Sequence, residues 1–545
     1  MKPYLLTILA VSLVTTSASA APLCSSSEIG GLIYRDYNSN GALDILEPGV
    51  SNVSVTAYNA SNQIIDETKS NENGEYKLNV PLSIATRVEF TNIPEFLKSG
   101  PVGVDSSTTV QFISAGNCQA NLALHNPAQH CDSDPNVAIP CYIAGDPLAS
   151  GSFASNADVF VTFPYSARGK QGEIGTPHPT HAAVGKEIGS AWGVTYQRSS
   201  STIFTSAFMK RHSGFGPLGT GGIYGLDNSN PATPIPFSFL DLQSLGINTG
   251  VDPRVSGDLS TDPLPYEPLL QWACVNFGVL CGQGQPSPDP YWDLVGKMSL
   301  GAIAISDDER TLYVVNLFDK TLYGIEIGVP FTSPTLNDVT AYPISNPGCS
   351  FNDFRPFATT VQDGKVYVGV TCTAETSQNL GDLKAYILTL DETSKIFTPV
   401  LEIDLNYPRG IVAKGPDPAC SVTIVTKDAE WRPWTSDWSA ASGVDNTSVS
   451  CPNAVSIINP QPILSDIGFL ENGNLVFALT DRVAHSFGGL EPTPLGAGDL
   501  PLTAATSAGD ILLACRDANG NFELEQNGGC TGQSPSAGMN TNQGP

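Results

Sequence analysis

Twelve residues near the start of the chain, Asp36 to Glu47, carry oxygen-bearing side chains at the first, third, fifth, ninth and twelfth places: Asp36, Asn38, Asn40, Asp44 and Glu47, with Gly41 at the sixth place. The run satisfies every specified position of the calcium-loop pattern D-x-[DN]-x-[DN]-G-x5-E. Calcium is a hard cation that takes six to eight oxygens, and a glycine at the sixth position lets the chain turn sharply around it. The Ala42 carbonyl would fill the seventh position, and Glu47 would close the site with both oxygens. What flanks the loop constrains the fold. No helical repeat lies on either side. Leu32-Ile33-Tyr34 reads as a strand before it, and Glu47-Pro48-Gly49-Val50 turns into the alternating strand Val53, Val55, Ala57 after it. The expected site is therefore a metal loop between β-strands, set against the plainer reading of an Asx-rich turn without an ion. Downstream, Thr68 to Val80 reads as a hairpin, with Asn73-Gly74 as its turn and Tyr76, Leu78 and Val80 alternating.

The whole chain carries the same β signature. Glycine and proline are abundant, at 52 and 42 residues, and short Val, Ile, Tyr, Phe and Thr runs alternate with Gly, Asn, Asp and Pro clusters. The N-terminus reads as an export signal over residues 1–20, with Lys2, an apolar stretch and Ala18-Ser19-Ala20 as the cleavage pattern. Lipidation at Cys24 is the alternative. All 12 Cys lie beyond that segment and none forms a C-x-x-C pair, so disulfides in an exported chain are expected rather than zinc. Proximity suggests Cys24–Cys118, Cys131–Cys141, Cys274–Cys281, Cys349–Cys372, Cys420–Cys451 and Cys515–Cys530. No later stretch has the length and apolarity of a membrane span. The net charge of −27 leaves no basic patch for nucleic acid.

The string from Gly30 to Tyr58, with the Asn-Gly-Glu-Tyr turn after it, resembles the SdrD B-like repeat, a relative of the collagen-adhesin B-type fold. The resemblance covers residues 24–124. It implies a small calcium-binding β-sandwich that serves as a stalk or spacer, with Asp36, Asn38, Asn40, Asp44 and Glu47 at the metal positions. The family's Ser-Asp tract and sorting signal are not found in this sequence.

Residues 125–150 read as a Cys- and Pro-rich linker, and residues 531–545 as a polar tail. Between them, over 151–530, a loose repeat appears. Its clearest unit is Leu300 to Ile327, with strands Ala302–Ile305, Thr311–Val315 and Thr321–Ile327; others start near Trp192, Arg355, Arg409 and Asp466. A degenerate unit fits between Phe237 and Tyr291. The spacing predicts a β-propeller of about six blades, or seven if Asp158–Pro164 and Ala504–Ala514 close the ring; a β-sandwich array is the alternative. The run from Asp308 to Asn316, followed by Leu322-Tyr323-Gly324-Ile325, resembles YVTN- and NHL-type propellers, a group that includes binding modules and some hydrolases and lactonases.

Charged residues fall at or near the expected strand ends: Arg211 and His212 after one strand, Arg355, Arg409 and Asp466 at unit starts, Asp481 and His485 after another. Gathered at one mouth, they would bind an anionic or sugar-like ligand; the alternative is that they pair with one another to hold blades together. His178 and His181 lack the H-E-x-x-H spacing and are split by Pro179, so a plain loop is expected. Asp517, Asn519, Asn521 and Glu523 read as a hairpin. Trp431, Trp434 and Trp438 are placed either to stack on sugars or to plug the mouth. The resulting expectation is a secreted or surface calcium-binding protein whose partner is an extracellular protein or polysaccharide, with a channel hydrolase or lactonase as the alternative.

Overall fold

The computed structural model describes residues 24–44, 47–129, 134–168, 179–254, 259, 291–414, 425–442, 454–470, 473–491, 502–516, 521–525 and 530. They divide into two compact units, the first holding residues 24–129 with Gly473 and the second the remainder.

The first unit is two four-stranded sheets. One runs in the order Glu75–Asn79, Glu28–Arg35, Leu122–His125, Lys98–Ser99, and the other in the order Ile64–Lys69, Ser54–Tyr58, Thr86–Thr91, Val110–Ile113. Alternation built the shared core. Val53, Val55 and Ala57 from one sheet, and Tyr76 and Leu78 from the other, are all buried with Ile29, Ile33, Val88, Phe90, Leu122 and Leu124. The expected Thr68–Val80 hairpin is not formed. Ile64–Lys69 pairs with Ser54–Tyr58, whereas Glu75–Asn79 crosses to Glu28–Leu32 of the facing sheet. The Asn73-Gly74 corner changes sheets because both strands must present apolar residues to the same interior from opposite sides. Gly74 sits at φ +77, and a Cβ there would lie 2.1 Å from the Ile33 carbonyl oxygen. A cystine joins Cys24 to Cys118.

The second unit contains, among the described residues, four antiparallel meanders of four strands each. Their first strands are Ala191–Gln197, Leu300–Ile305, Phe354–Gln362 and Pro462–Phe469. These first strands lie against one another in chain order. The interior between neighbouring meanders is filled by Val314, Val368, Leu322, Leu388 and Phe477, all buried, as expected where both sheet faces are covered. In the Leu300 unit the observed strands are Leu300–Ile305, Thr311–Asn316 and Thr321–Glu326, with a fourth at Val339–Pro343.

Elsewhere the arrangement departs from the expected units. Asn136–Pro140, inside the expected linker, is an edge strand against Asp158–Pro164, whose other neighbour is Thr180–Val184. The expected Ala504–Ala514 strand is split between Leu502–Ala505 and Asp510–Arg516, neither of which shares a sheet with Asp158–Pro164. The unit expected at Arg409 shows two described strands, Ile411–Lys414 and Val425–Asp428. Phe237 belongs to the fourth strand of the Ala191 meander, and most of the degenerate unit beyond it lies outside the described residues. Cystines Cys349–Cys372 and Cys515–Cys530 are formed as spaced, while Cys141 is a free thiol. Cys131, Cys274, Cys281, Cys420 and Cys451 lie outside the described residues. No helix among the described residues is long and apolar enough to cross a membrane.

Candidate functional site

In the first unit, strand Glu28–Arg35 delivers Asp36 into the interior. The Asp36 carboxylate accepts from the N–H of Asn40 at 3.1 Å and of Gly41 at 2.8 Å. Gly41 adopts φ +70, and a Cβ on it would lie 2.8 Å from the Pro101 carbonyl oxygen, so only glycine fits this turn. Glu47 closes the loop: its Oε1 accepts from Tyr37 N–H at 3.0 Å and its Oε2 from Asp44 N–H at 2.9 Å. The amide NH2 groups of Asn38 and Asn40 both reach Asp44 Oδ2 at 2.8 Å. Their amide oxygens accept from the N–H of Asn40 and of Ala42. Side chains of Asn38, Asn40 and Asp44 thus meet at one point.

A further carboxylate comes from a distant segment. Asp105 Oδ2 accepts from Leu43 N–H at 3.1 Å, and Asp105 N–H donates to the Gly41 carbonyl at 3.1 Å. No local pattern marks Asp105, because its role depends on the loop at Gly103 folding back on Gly41. The cluster leaves its imprint on its neighbours. Burial, then repulsion by Asp36 and Asp44, outweighs the N–H bonds and pushes the Glu47 carboxyl up to about 7. The Tyr34 phenol is pushed up by burial and by Asp36, Glu47, Asp105 and Asp44, in that order. Its hydroxyl is buried with no hydrogen-bond partner among the described residues, and an orphaned buried hydroxyl is costly. As folded, no group of three or more His, Cys, Asp or Glu among the described residues is poised to hold a metal. The donor set still suits a hard cation: every side chain carries oxygen, the carboxylates repel one another, and rotating the two amides would turn their oxygens toward the shared point.

In the second unit, the seven expected ligand residues divide. Arg409 is committed to structure. It pairs with Asp510 at 3.4 Å, donates to the carbonyls of Ala429, Ala508 and Gly509, and lies 3.5 Å over the Trp431 ring. Asp481 is buried and accepts from the N–H groups of Gln461, Val483 and Ala508; burial pushes its carboxyl up to about 6. Arg211 and His212 are buried, and Arg211 N–H donates to the His485 carbonyl. His485 sits among Tyr142, Trp192 and Phe208, with ring centroids 5.3–5.6 Å away. Burial, then Lys210, holds its imidazole neutral. Asp466 lies inside its strand, beside a bulge, rather than at the strand start. Arg355, second in its strand, is half-buried. Trp431 and Trp434 are buried, with Arg409 and Arg482 against their rings, and Trp438 stacks on Phe487 at 4.4 Å. Trp431 and Trp434 are core rather than an open sugar platform, and Trp438 is half-buried against Phe487. His181 is exposed and bonds Asp158 at 2.7 Å, while His178 lies outside the described residues. Asn521 and Glu523 lie on or beside the strand Phe522–Leu524; Asp517 and Asn519 lie outside the described residues.

Fold and loop together define the first unit as a small β-sandwich module with an acidic and amide-rich loop at one edge. Comparison with known proteins agrees: residues 27–134 match the SdrD B-like domain. Over that part, the serine-aspartate repeat-containing protein D of Staphylococcus aureus (strain Newman) is 32% identical across 113 residues, covering 18% of this chain and 8% of that protein. Almost the whole chain aligns with two proteins of Dictyostelium discoideum. Colossin-B is 25% identical, over 92% of this chain and 11% of its own length, and colossin-C is 26% identical, over 93% and 44%. The chain therefore spans less than half the length of these relatives.

Proposed function

We propose that this is a secreted or cell-surface adhesion protein, in which a calcium-stiffened spacer carries a propeller-like domain that presents a binding face. The observation that carries the reading is the SdrD B-like match over residues 27–134, on the module that gathers Asp36, Asp44, Glu47 and Asp105. A doubly charged ion at the meeting point of Asn38, Asn40 and Asp44 would neutralise the repulsion that raises Glu47. It would also lock the loop against the Gly103 segment, turning a soft corner into a rigid one. Four meanders with adjacent first strands support the propeller, whose blades meet in that way. The partner would be an extracellular protein or polysaccharide. In the hydrolase alternative Asp481 would be a channel carboxylate, but it is sealed under three backbone N–H groups.

The test uses the full chain, freed of calcium by dialysis, then titrated with calcium by calorimetry and coupled to beads for retention on cells. The expected result is saturable binding, a rise in the first melting transition, and retention lost in chelator. Retention unchanged by chelator, with no calcium heat, would overturn the reading.

A further inference from the structure

Arg355 and Lys320 come from neighbouring meanders. Arg355 is on the first strand of one, and Lys320 is in the turn between the second and third strands of the other. The Lys320 ammonium lies 4.1 Å over the ring of Phe354, the residue before Arg355. Neither the Arg355 guanidinium nor the Lys320 ammonium makes a hydrogen bond or ion pair among the described residues, and both are half-buried. A half-buried guanidinium with no protein acceptor is open to an anion, since charges drawn partly out of water are normally paired.

The nearby carboxylates are already occupied. Glu375 holds Lys297 at 2.5 Å. Asp293 holds Lys297 at 2.7 Å and Arg482 at 2.6 Å. Asp353 accepts from the N–H and hydroxyl of Thr376. Among the described residues, four cations (Lys297, Lys320, Arg355, Arg482) thus face three carboxylates (Asp293, Asp353, Glu375). This is a local positive surplus in a chain of net charge −27. Arg355 sits on a rigid element, because Phe354 pairs with Cys372 and the Cys349–Cys372 cystine ties down the segment just before it, and Lys320 sits in the tight turn between two paired strands.

We propose that Arg355 and Lys320 form a binding site for one oxyanion group, a carboxylate or a sulfate, borne by the protein's extracellular ligand. The site deepens the adhesion reading and rests on it for the ligand's origin, not for the chemistry. A planar guanidinium offers paired N–H donors that match an oxyanion two-to-two, while an ammonium adds a point charge from the side. Lys320 also feels the shortage of negative charge. Burial, then Arg355, pulls its ammonium down to about 8 against the opposing pull of Asp353 and Glu375. A bound anion would reverse that fall.

The experiment titrates the full chain with sodium sulfate, and separately with sodium acetate, at constant ionic strength, and follows heat and the Lys320 pKa by NMR of methylated lysines. Expected are saturable binding, a rise in the Lys320 pKa, and weaker binding as pH passes 8. Arg355→Gln should raise Kd about tenfold or more and Lys320→Gln about three- to tenfold, as charge-assisted bonds are lost. The stronger of the two titrants identifies a tetrahedral or planar group. Far-UV spectra and melting confirm that the variants fold. No saturable binding of either salt, or variants that bind as the parent does, overturns the site. If the site fails while calcium-dependent cell retention persists, the adhesion reading stands without it; sulfate binding with no retention overturns that reading and keeps the site.

Discussion

Replacing Glu47 with glutamine should change stability in opposite directions with and without calcium. The carboxyl titrates near 7 in the folded chain and near 4.5 when unfolded. The folded state therefore holds a proton that the unfolded state has released between those values. Stability from this group is complete below the unfolded value and is lost as pH rises through 7. The full linkage is about 3 kcal/mol, and the group is only half-buried, so screening reduces it to about 1–2 kcal/mol. In the Glu47→Gln variant the side chain keeps one acceptor for the two N–H groups of Tyr37 and Asp44. That costs about 1 kcal/mol at every pH. What titrates is the difference between parent and variant. In chelator, the parent should lose about 1–2 kcal/mol relative to the variant between pH 5 and pH 8, or roughly 4–16 °C in the first transition. In excess calcium at pH 8 the order should reverse, since the parent alone can close the ion with two carboxylate oxygens. Scanning calorimetry of both chains in both media measures this. A flat difference from pH 5 to pH 8 in chelator would refute the repulsion argument, and no reversal in calcium would refute the metal.

Two further outcomes follow from the fold. Replacing Cys24 and Cys118 together by serine should lower the first transition by about 2–5 kcal/mol, because the cystine closes a long loop in the unfolded chain; a shift below about 1 kcal/mol in denaturant melts would contradict this. Arg409→Ala should cost the second unit about 3–5 kcal/mol, as it strips the Trp431 ring and the carbonyls of Ala429, Ala508 and Gly509 of their partner and leaves Asp510 with the Tyr407 hydroxyl but without its cation. Unchanged denaturant midpoints would assign Arg409 to ligand rather than to structure.

Local signals were legible where chemistry is local. Period-two runs such as Val53, Val55, Ala57 and the three strands after Leu300 follow directly from one buried face. Gly41 was legible because a turn of that tightness admits only glycine. The hairpin at Asn73-Gly74 misled, since a tight turn leads equally into the same sheet or across to the facing one, and only the shared core decides. Long-range partners left no trace: Asp105 under Leu43, Asp510 under Arg409, and Lys320 over Phe354 are joined by folding alone. The same holds for Trp431 and Trp434, whose spacing is open to either exposure or burial until the arginines that cover them are located.

Ionic strength separates the oxyanion site from ordinary basic-patch binding. A basic patch attracts polyanions from afar, so salt slows its association. Here the chain as a whole repels an anion through a net charge of −27, while the proposed site at Arg355 and Lys320 attracts it at short range. Repulsion from charges spread over the surface acts beyond a Debye length, about 10 Å at 0.1 M, and is screened first; the partly desolvated contact pair is screened much less. Raising salt from about 0.01 M to 0.1 M, over which the Debye length falls from about 30 Å to 10 Å, should therefore speed association of a sulfated or carboxylated polymer, while dissociation changes little. Stopped-flow association at a series of chloride concentrations reads this directly. A rate that falls steadily with salt would mean that attraction extends well past these two side chains, and the isolated site would have to give way to a wider cationic surface.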